Sequence, residues 1–210
     1  MSDGPTILKP EEIEAESFRI IDSEVGPHVY DDRQWPVVRR MIHTAADFEL
    51  AETTRFAPGV IDAALAALRQ GADILCDTNM VMAGVNKSRL RRFGGSLACH
   101  VADPQVAAAA KEQGVTRSTL ALRKGAAEGR SIFLIGNAPT ALFELLRLAG
   151  TGALAPALIV GVPVGFVGAA EAKQALIDSP FPHITIAGRK GGSALAAAIL
   201  NALMLLAEQE

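Results

Sequence analysis

The sequence predicts an α/β protein, a three-layer sandwich built on a mainly parallel sheet of five strands. Short apolar runs recur in the chain after residue 72, and a stretch with helical periodicity separates each run from the next. Parallel strands need connections of this length, and right-handed crossovers place the connecting helices on both faces of the sheet. We expect a flavodoxin-like sheet with additional N-terminal helices.

Each element follows from its local pattern of apolar residues. The predicted strands are residues 73–76, 97–101, 132–135, 158–162 and 184–187. The helices that follow strands are residues 103–113, 118–127, 140–148, 169–177 and 193–208. Helices at about residues 11–24, 33–46 and 58–70, and an extended piece around 53–57, precede the first strand. No repeat or linker interrupts the chain, so residues 1–210 are expected to form a single domain.

Composition narrows the classes of function. Half of the 210 residues are apolar and the net charge is -3, which suits one large core and offers no basic surface for nucleic acid. The acidic N-terminus lacks a signal pattern, and Asn201 interrupts the longest apolar run, so we expect a cytoplasmic protein without a membrane span. The two cysteines and four histidines have no metal-ligand spacing, which predicts free thiols and no metal site.

The segment from Arg39 to Asp47 contains the main candidate for proton transfer. At four-residue spacing, Arg39, His43 and Asp47 share one face of a predicted helix whose start Asp31 and Asp32 can cap. The arginine disfavours the imidazolium, whereas the aspartate favours it and can orient the ring. A histidine in such surroundings titrates near neutrality and suits acid or base chemistry. The alternative is an ordinary surface histidine.

Two glycine-containing loops follow predicted strands, at the sheet edge where open parallel sheets bind ligands. In residues 188–193, free amides and a helix N-terminus can hold an anion, with Arg189 and Lys190 adding charge. In residues 136–140, Asn137 can cap the next helix and the free amides face the ligand edge. The alternative for both loops is that the glycines only permit tight turns.

Two further segments each have a structural and a functional interpretation. Residues 163–167 are apolar and contain glycine, so they either pack in the core, the simpler interpretation, or let a flat apolar ring approach the backbone. Residues 86–92 are rich in cations and form either a solvated helix face or a clamp for a polycarboxylate. The matching ligand would be planar and apolar in its middle and anionic at its rim.

Five short strings, in the same order from Arg40 to Ser193, resemble a known family. They are Arg40-Met41-Ile42-His43, Ile74-Leu75-Cys76-Asp77, Gly136-Asn137-Ala138-Pro139-Thr140, Pro163-Val164-Gly165-Phe166-Val167 and Gly188-Arg189-Lys190-Gly191-Gly192-Ser193. In these strings the chain resembles the precorrin-8X methylmutases of cobalamin biosynthesis. The resemblance implies an isomerase that moves a methyl group from position eleven to position twelve of precorrin-8X, a corrin-type tetrapyrrole, to give hydrogenobyrinate.

The resemblance also implies roles for individual residues. His43 would donate a proton or a hydrogen bond near ring C of the substrate. Because the methyl shift is intramolecular, no methyl donor and no cofactor would be needed. Among the implied contacts, Arg117 precedes Ser118, which we expect to cap a helix. The implied substrate contacts are Ser17, Arg39, Thr44, Lys87, Arg89, Asn137, Thr140, Arg117, Arg189, Lys190, Gly191 and Ser193.

Two rival functions stay open. A non-catalytic tetrapyrrole carrier or chaperone would use the same basic rim and apolar surface, and would not require a titratable His43. A sugar-phosphate or nucleotide-phosphate isomerase would use residues 188–193 for phosphate and leave the cations at 86–92 without a role.

The helix predicted at residues 193–208 bears on assembly, because it is apolar on nearly every face. A surface helix needs a polar side, so this helix either packs on all sides within its own subunit or meets a partner. A two-fold homodimer, which the resemblance also favours, would cover His43. The implied pathway role leaves room for hand-over of the corrinoid to neighbouring enzymes.

Overall fold

The computed structural model describes residues 9–209, which form an α/β fold around a single mixed sheet. The strands are β1 (Thr54–Phe56), β2 (Ile74–Cys76), β3 (Leu97–Ala98), β4 (Ile132–Ile135), β5 (Leu158–Gly161) and β6 (His183–Ile186). The helices are α1 (Pro10–Val25), α2 (Trp35–Ala45), α3 (Leu50–Thr53), α4 (Val60–Arg69), α5 (Asn79–Gly84), α6 (Lys87–Arg92), α7 (Pro104–Gln113), α8 (Arg117–Ala127), α9 (Pro139–Gly150), α10 (Ala169–Ile177) and α11 (Ser193–Gln209).

The sheet has one strand more than the five that were predicted. Strands β2 to β6 are parallel and lie in the order β3-β2-β4-β5-β6. β1 adds an antiparallel edge to β6, with Thr54 opposite Ile186 and Phe56 opposite Ile184. The extended conformation around residues 53–57 was predicted, but its pairing was not. The partner strand lies near the other end of the chain, so no local pattern reveals it.

Helices cover both faces of the sheet, as the crossover argument predicts. Along β4, Ile132 and Leu134 join a hydrophobic cluster that includes residues of α2, α4 and α11. The intervening Phe133 and Ile135 join a second cluster with residues of α9 and α10. This alternation follows from the two-residue period of a strand. Strands that are buried on both faces therefore have continuous apolar sequences.

Helix α11 lies in the middle of one helical layer. It packs against α2, α4 and α5, and against β4 and β5. Its buried residues occupy nearly every side, and they include Ile199, Leu200, Leu203 and Met204. Of the two explanations for its apolar sequence, packing within its own subunit is the one observed. The composition of this helix therefore gives no argument for a partner subunit.

Local features account for the remaining differences from the predicted elements. α10 and β4 begin and end where predicted, whereas α3 and α5 are too short to show a helical period in the sequence. The predicted cap of α2 is wrong. Asp31 accepts the N–H groups of Arg33 and Gln34 in the preceding turn, and Gln34 occupies the N-cap position without a side-chain bond.

Candidate active site

Four loops meet at the carboxyl edge of the sheet, where open parallel sheets bind their ligands. We name them the β2-α5 loop (residues 77–78), the β4-α9 loop (136–138), the β5-α10 loop (162–168) and the β6-α11 loop (187–192). The C-terminal end of α2 reaches the same edge. Asp47 Oδ2, just beyond that helix, lies 2.6 Å from Lys190 Nζ of the β6-α11 loop.

His43 occupies the last turn of α2 and is partly buried. Its ring stands edge-on to the ring of Phe18 in α1, with the centroids 5.4 Å apart. The guanidinium groups of Arg39 and Arg40 lie over the same Phe18 ring, 4.4 and 4.8 Å from its centroid. Phe18 thus brings an imidazole and two cations together. Sequence reasoning missed Phe18 because it lies on another helix.

The predicted pairing of His43 with Asp47 is wrong. α2 ends at Ala45, and Ala46 adopts a left-handed conformation with a φ of 50°, so the helical spacing does not continue to Asp47. Asp47 pairs with Lys190 instead. Within residues 9–209, no carboxylate bonds to His43. The ring is held by packing against Phe18.

Both arginines beside Phe18 have carboxylate partners. Arg39 Nη1 lies 2.7 Å from Asp22 Oδ2, and Arg40 makes a two-pronged pair with Glu14 at 2.8 and 2.9 Å. The hydrogen bond from Arg40 lowers the pKa of Glu14. A substrate carboxylate would have to compete with Asp22 for Arg39. Arg39 is therefore a weaker candidate contact than the sequence implied.

The β4-α9 loop is held from beneath by a carboxylate. Asp77 is 4% exposed and accepts the N–H groups of Gly136, Asn137 and Ala138 at 3.1, 2.7 and 2.8 Å. Burial raises the pKa of Asp77, and the three N–H donors act in the opposite direction. The prediction that Asn137 caps α9 is wrong, because Ala138 holds that position. The amides that were expected to face a ligand are already bound.

Side chains near this loop remain available at the surface. Asn137 and Thr140 are exposed, and Thr140 Oγ1 lies 2.9 Å from Thr116 Oγ1. Thr116 caps α8 by accepting a backbone N–H of its first turn, so the prediction of Ser118 as the cap is wrong. Arg117 is the first residue of α8 and is exposed beside the two threonines.

The β6-α11 loop is supported in a different way. Gly192 donates its N–H to Val162 O at 2.8 Å, and a Cβ on Gly191 would overlap the same oxygen, so only glycine fits there. From beneath, Lys173 of α10 donates from Nζ to the carbonyl oxygen of Lys190. The N–H groups of Gly191 and Ser193 have no hydrogen-bond partner in the described part of the chain.

The two cations of the β6-α11 loop differ in availability. Lys190 Nζ lies 2.6 Å from Asp47 and 2.8 Å from Glu49, and these carboxylates raise its pKa. Arg189 is exposed, and its Cζ lies 5.8 Å from the Phe166 ring centroid. Among the described residues, no carboxylate pairs with Arg189. Arg189 is therefore the cation of this loop that is free to bind an anion.

The β5-α10 loop presents apolar side chains to solvent next to Arg189. Val164, Phe166 and Val167 are 46%, 85% and 90% exposed. The simpler interpretation, packing in the core, is therefore wrong for these three residues. An exposed apolar surface beside a free cation suits a ligand with an apolar middle and an anionic rim.

The loops are in mutual contact. Thr78 Oγ1 of the β2-α5 loop lies 3.2 Å from Ser193 Oγ at the start of α11. A Cβ on Gly136 would fall 2.7 Å from Ser193 Cα, so the β4-α9 loop approaches α11 closely. Asn137, Thr140, Ser193 and Arg189 therefore belong to one continuous edge.

Other implied contacts lie around a neighbouring groove of about 490 Å³. Thr44 and Arg89 line it together with Arg40, above alanines of α11. Arg89 Nε is 3.0 Å from Glu208, so this cation is paired. Lys87 is exposed at the start of α6, outside the groove lining. The Ser17 hydroxyl donates to a carbonyl one turn back in α1, at 2.8 Å.

Known proteins resemble this chain over nearly its whole length. The family model for precorrin-8X methylmutase matches residues 12–206. A cobalt-precorrin-8 methylmutase from Priestia megaterium is 44% identical over 205 residues, which cover 97% of this chain and 91% of that protein. The chain belongs to the precorrin-8X methylmutase family.

A further relative of this methylmutase-family chain and a solved structure are also precorrin-8X methylmutases. A precorrin-8X methylmutase from Pseudomonas aeruginosa is 49% identical over 168 residues, which cover 78% of this chain and 80% of that protein. The crystal structure of a precorrin-8X methylmutase from Thermus thermophilus matches with a TM-score of 0.87 and 46% identity, and covers 95% of this chain and 97% of that one. The resemblance inferred from five strings is confirmed.

Outside this edge, the methylmutase-family chain has a further cavity. A cavity of about 790 Å³ lies along the edge strand β1, lined by His28, Tyr30 and Phe56 among others, and contains none of the implied substrate contacts. Residues 9–209 contain no group of three or more metal-ligating side chains. In the same range, no helix is long and apolar enough to span a bilayer.

Proposed function

We propose that this chain isomerises precorrin-8X, or its cobalt-containing counterpart, by moving one methyl group from position eleven to position twelve of the macrocycle. Hydrogenobyrinate is the metal-free product. The main support for the proposal is that α2, whose last turn contains His43, meets the β6-α11 loop through the Asp47–Lys190 pair, next to Arg189 and the apolar β5-α10 loop, in a chain of this family. Cobalt belongs to the substrate in this scheme and requires no protein ligands.

The reaction requires that the macrocycle be held in one orientation and that a proton donor lie close to it. The bond from the methyl carbon to one ring carbon breaks, and a bond to the neighbouring ring carbon forms. Since substrate and product are isomers, any proton that His43 donates to the macrocycle is transferred back to His43 before the product dissociates. Hydrogen bonding or protonation by His43 makes the conjugated ring electron-poor and lowers the barrier, and general-acid help contributes about 100- to 10,000-fold. Phe18 makes a T-shaped contact with the imidazole ring and restricts its orientation.

Binding of the substrate uses the apolar and cationic parts of the edge separately. The apolar middle of the macrocycle lies against Phe166 and Val167, which are otherwise exposed. Arg189 and the free N–H groups of Gly191 and Ser193 receive acetate or propionate arms. Arg117 and Thr140 are placed for a further arm.

We also propose the flavodoxin-like class for the parallel part of the sheet. Counted from β2, the five parallel strands lie in the order 2-1-3-4-5, which is the order of flavodoxin. The order reverses between β2 and β4, where Asp77, Thr78 and Asn137 lie. Ligands of such sheets bind at this reversal, and Ser193, which follows the β6-α11 loop, reaches it through its contact with Thr78.

We propose further that residues 1–210 act as one domain in a cytoplasmic two-fold homodimer, from which the product can pass to neighbouring pathway enzymes. The exposed Phe166 and Val167, and the need to exclude water from His43, support a covering subunit. Sedimentation should report about twice the 22.0 kDa chain mass. A fully active monomer would contradict the dimer.

Replacement of His43 tests the catalytic proposal and separates it from a carrier role. We expect His43→Ala to lose turnover of metal-free or cobalt-containing substrate and to keep corrinoid binding, followed by the visible spectrum. His28→Ala is the matched control, because His28 stacks on Trp35 at the opposite end of α2, with centroids 4.0 Å apart. Normal turnover in His43→Ala, or binding without turnover in the parent protein, would contradict the proposal.

A further inference from the structure

Lys173 is a buried lysine that makes no ion pair in the part of the chain that the structure describes. It lies on α10, is 0% exposed, and donates one hydrogen bond from Nζ to the carbonyl oxygen of Lys190. No carboxylate within residues 9–209 pairs with it, and burial lowers its pKa to about 8. Burying an unpaired charge costs stability, and groups with perturbed pKa values are concentrated at functional sites.

The bond from Lys173 fixes the direction of the next amide. The described peptide bonds are all trans, so the carbonyl and the N–H of one peptide group point to opposite sides. The Lys190 carbonyl points inward to Lys173. The Gly191 N–H in the same peptide group therefore points outward, and it has no partner in the described chain.

The ammonium group also acts on this peptide electrostatically. A cation at the carbonyl oxygen polarises the peptide group and makes its N–H a stronger donor. Gly191 has no side chain to hinder an approaching ligand, and the exposed Arg189 lies two residues away. Outward N–H groups that are fixed in advance bind anions effectively.

We propose that Lys173 is a positioning residue for substrate binding, which presents the Gly191 N–H to one carboxylate arm of the corrinoid through the Lys190-Gly191 peptide. The identity of the ligand rests on the proposed function. Lys173 does not touch the substrate. The arm supplies a negative charge that none of residues 9–209 provides to the buried ammonium.

Binding of hydrogenobyrinate to Lys173→Met tests this role, with Lys124→Met as the matched control. Lys124 is ion-paired with Asp103 at 2.6 Å, on α8. We expect the dissociation constant of Lys173→Met to rise about tenfold or more, because a hydrogen bond to a charged group is weakened. The kcat at saturating substrate should not change, and the affinity for an analogue with amidated arms should fall much less, because a neutral amide oxygen forms a weaker bond with the Gly191 N–H than a carboxylate does.

Stability separates this role from a structural one. Removing an uncompensated buried charge should leave the unfolding temperature of Lys173→Met unchanged or raise it. A lower unfolding temperature with equal loss of affinity for the carboxylate and amidated ligands would overturn the inference. Unchanged affinity for both ligands would also overturn it.

An NMR measurement on the free protein keeps the inference testable without any ligand. The Gly191 amide proton should move upfield in Lys173→Met, by less in Lys173→Gln, which keeps a donor without the charge, and not at all in Lys124→Met. An unmoved Gly191 resonance in Lys173→Met would overturn the inference. Failure of the parent protein to bind hydrogenobyrinate would count against the proposed function, and the NMR result would still decide the role of Lys173.

Discussion

The β4-α9 loop and the β6-α11 loop occupy equivalent positions between a strand and a helix, but opposite charges support them. Each follows a buried strand, contains glycine and leads into a helix. In the first loop, the buried carboxylate of Asp77 accepts hydrogen bonds from three backbone N–H groups. In the second, the buried ammonium of Lys173 binds a carbonyl, and the Gly191 and Ser193 N–H groups have no partner among residues 9–209.

The comparison shows that the residue beneath a loop decides whether its backbone can bind an anion. A carboxylate beneath the loop accepts hydrogen bonds from the backbone N–H groups, so these are no longer available. An ammonium instead donates to a carbonyl oxygen, and the N–H of the same peptide group then points outward. Asp77 follows β2 and Lys173 lies on α10, so both belong to segments other than the loops that they support. Anionic arms should therefore bind at the β6-α11 loop, and the β4-α9 loop should contribute only side chains.

Replacing Asp77 should have the largest effect. Asp77→Ala leaves three N–H groups without their partner, and those of Gly136 and Ala138 are buried. Each buried unpaired group costs about 1–3 kcal/mol, so the free energy of unfolding should fall by about 2 kcal/mol or more. Urea unfolding measures the loss. Asp103→Ala is the control, because that carboxylate accepts one N–H at the start of α7 and otherwise pairs with the partly exposed Lys124, so its loss should cost much less. Equal losses would contradict the account of Asp77.

Gly191→Ala should displace the β6-α11 loop and lower turnover. The added Cβ overlaps Val162 O, so the loop must shift, and a displacement of about 1 Å at a binding group can reduce turnover about 100-fold. Steady-state kinetics measures this effect. Gly150→Ala, where no atom lies within 4 Å of the new Cβ, should leave turnover unchanged. Normal turnover in Gly191→Ala would remove this loop from the site.

Two arginine variants should differ in their effect on affinity. Arg189→Ala removes an unpaired cation and should weaken corrinoid binding by about 1.5–3 kcal/mol. Arg39→Ala should weaken binding less, because Asp22 already occupies that guanidinium. Binding titrations at several salt concentrations test this, with a flatter salt dependence for Arg189→Ala. A larger effect from Arg39 would contradict the assignment of the free cation.

The smallest effect concerns pH. The pKa of Lys173 is lowered from its ordinary value of 10.5 to about 8, so between these values the unfolded chain binds more protons than the folded one. The contribution of Lys173 to the free energy of unfolding therefore rises with pH across that interval. Urea unfolding of the parent protein and of Lys173→Met should show the parent gaining relative stability from about pH 8 to 10.5. A constant difference would contradict this.

Local patterns were sufficient for most of the fold. β4 is a continuous apolar run and α10 has a regular helical stripe, so both were predicted with the observed bounds. The pairing of β1 with β6 depends on residues far apart in sequence, and no local pattern contains it. The exposure of Phe166 was not predictable either, because an apolar sequence does not show whether anything covers it.

Residue types in the site were predictable, but their partners were not. The proposed pairing of His43 with Asp47 assumed a helix that in fact ends at Ala45. The role of Asp77 depends on β4 lying next to β2, which only the folded sheet reveals. Lys173 offered one usable signal, since it falls on the apolar stripe of α10 four residues after Ala169. A lysine on an apolar stripe is a candidate for a buried role.

Amide chemical shifts during a titration with hydrogenobyrinate show directly which of the two loops binds the carboxylate arms. We expect the amide protons of Gly191 and Ser193 to move downfield as they bind a carboxylate. The amide protons of Gly136, Asn137 and Ala138 should keep the chemical shifts of the ligand-free protein, because their hydrogen bonds to Asp77 persist. Large downfield shifts at Gly136, Asn137 and Ala138, with Gly191 and Ser193 unmoved, would contradict the account.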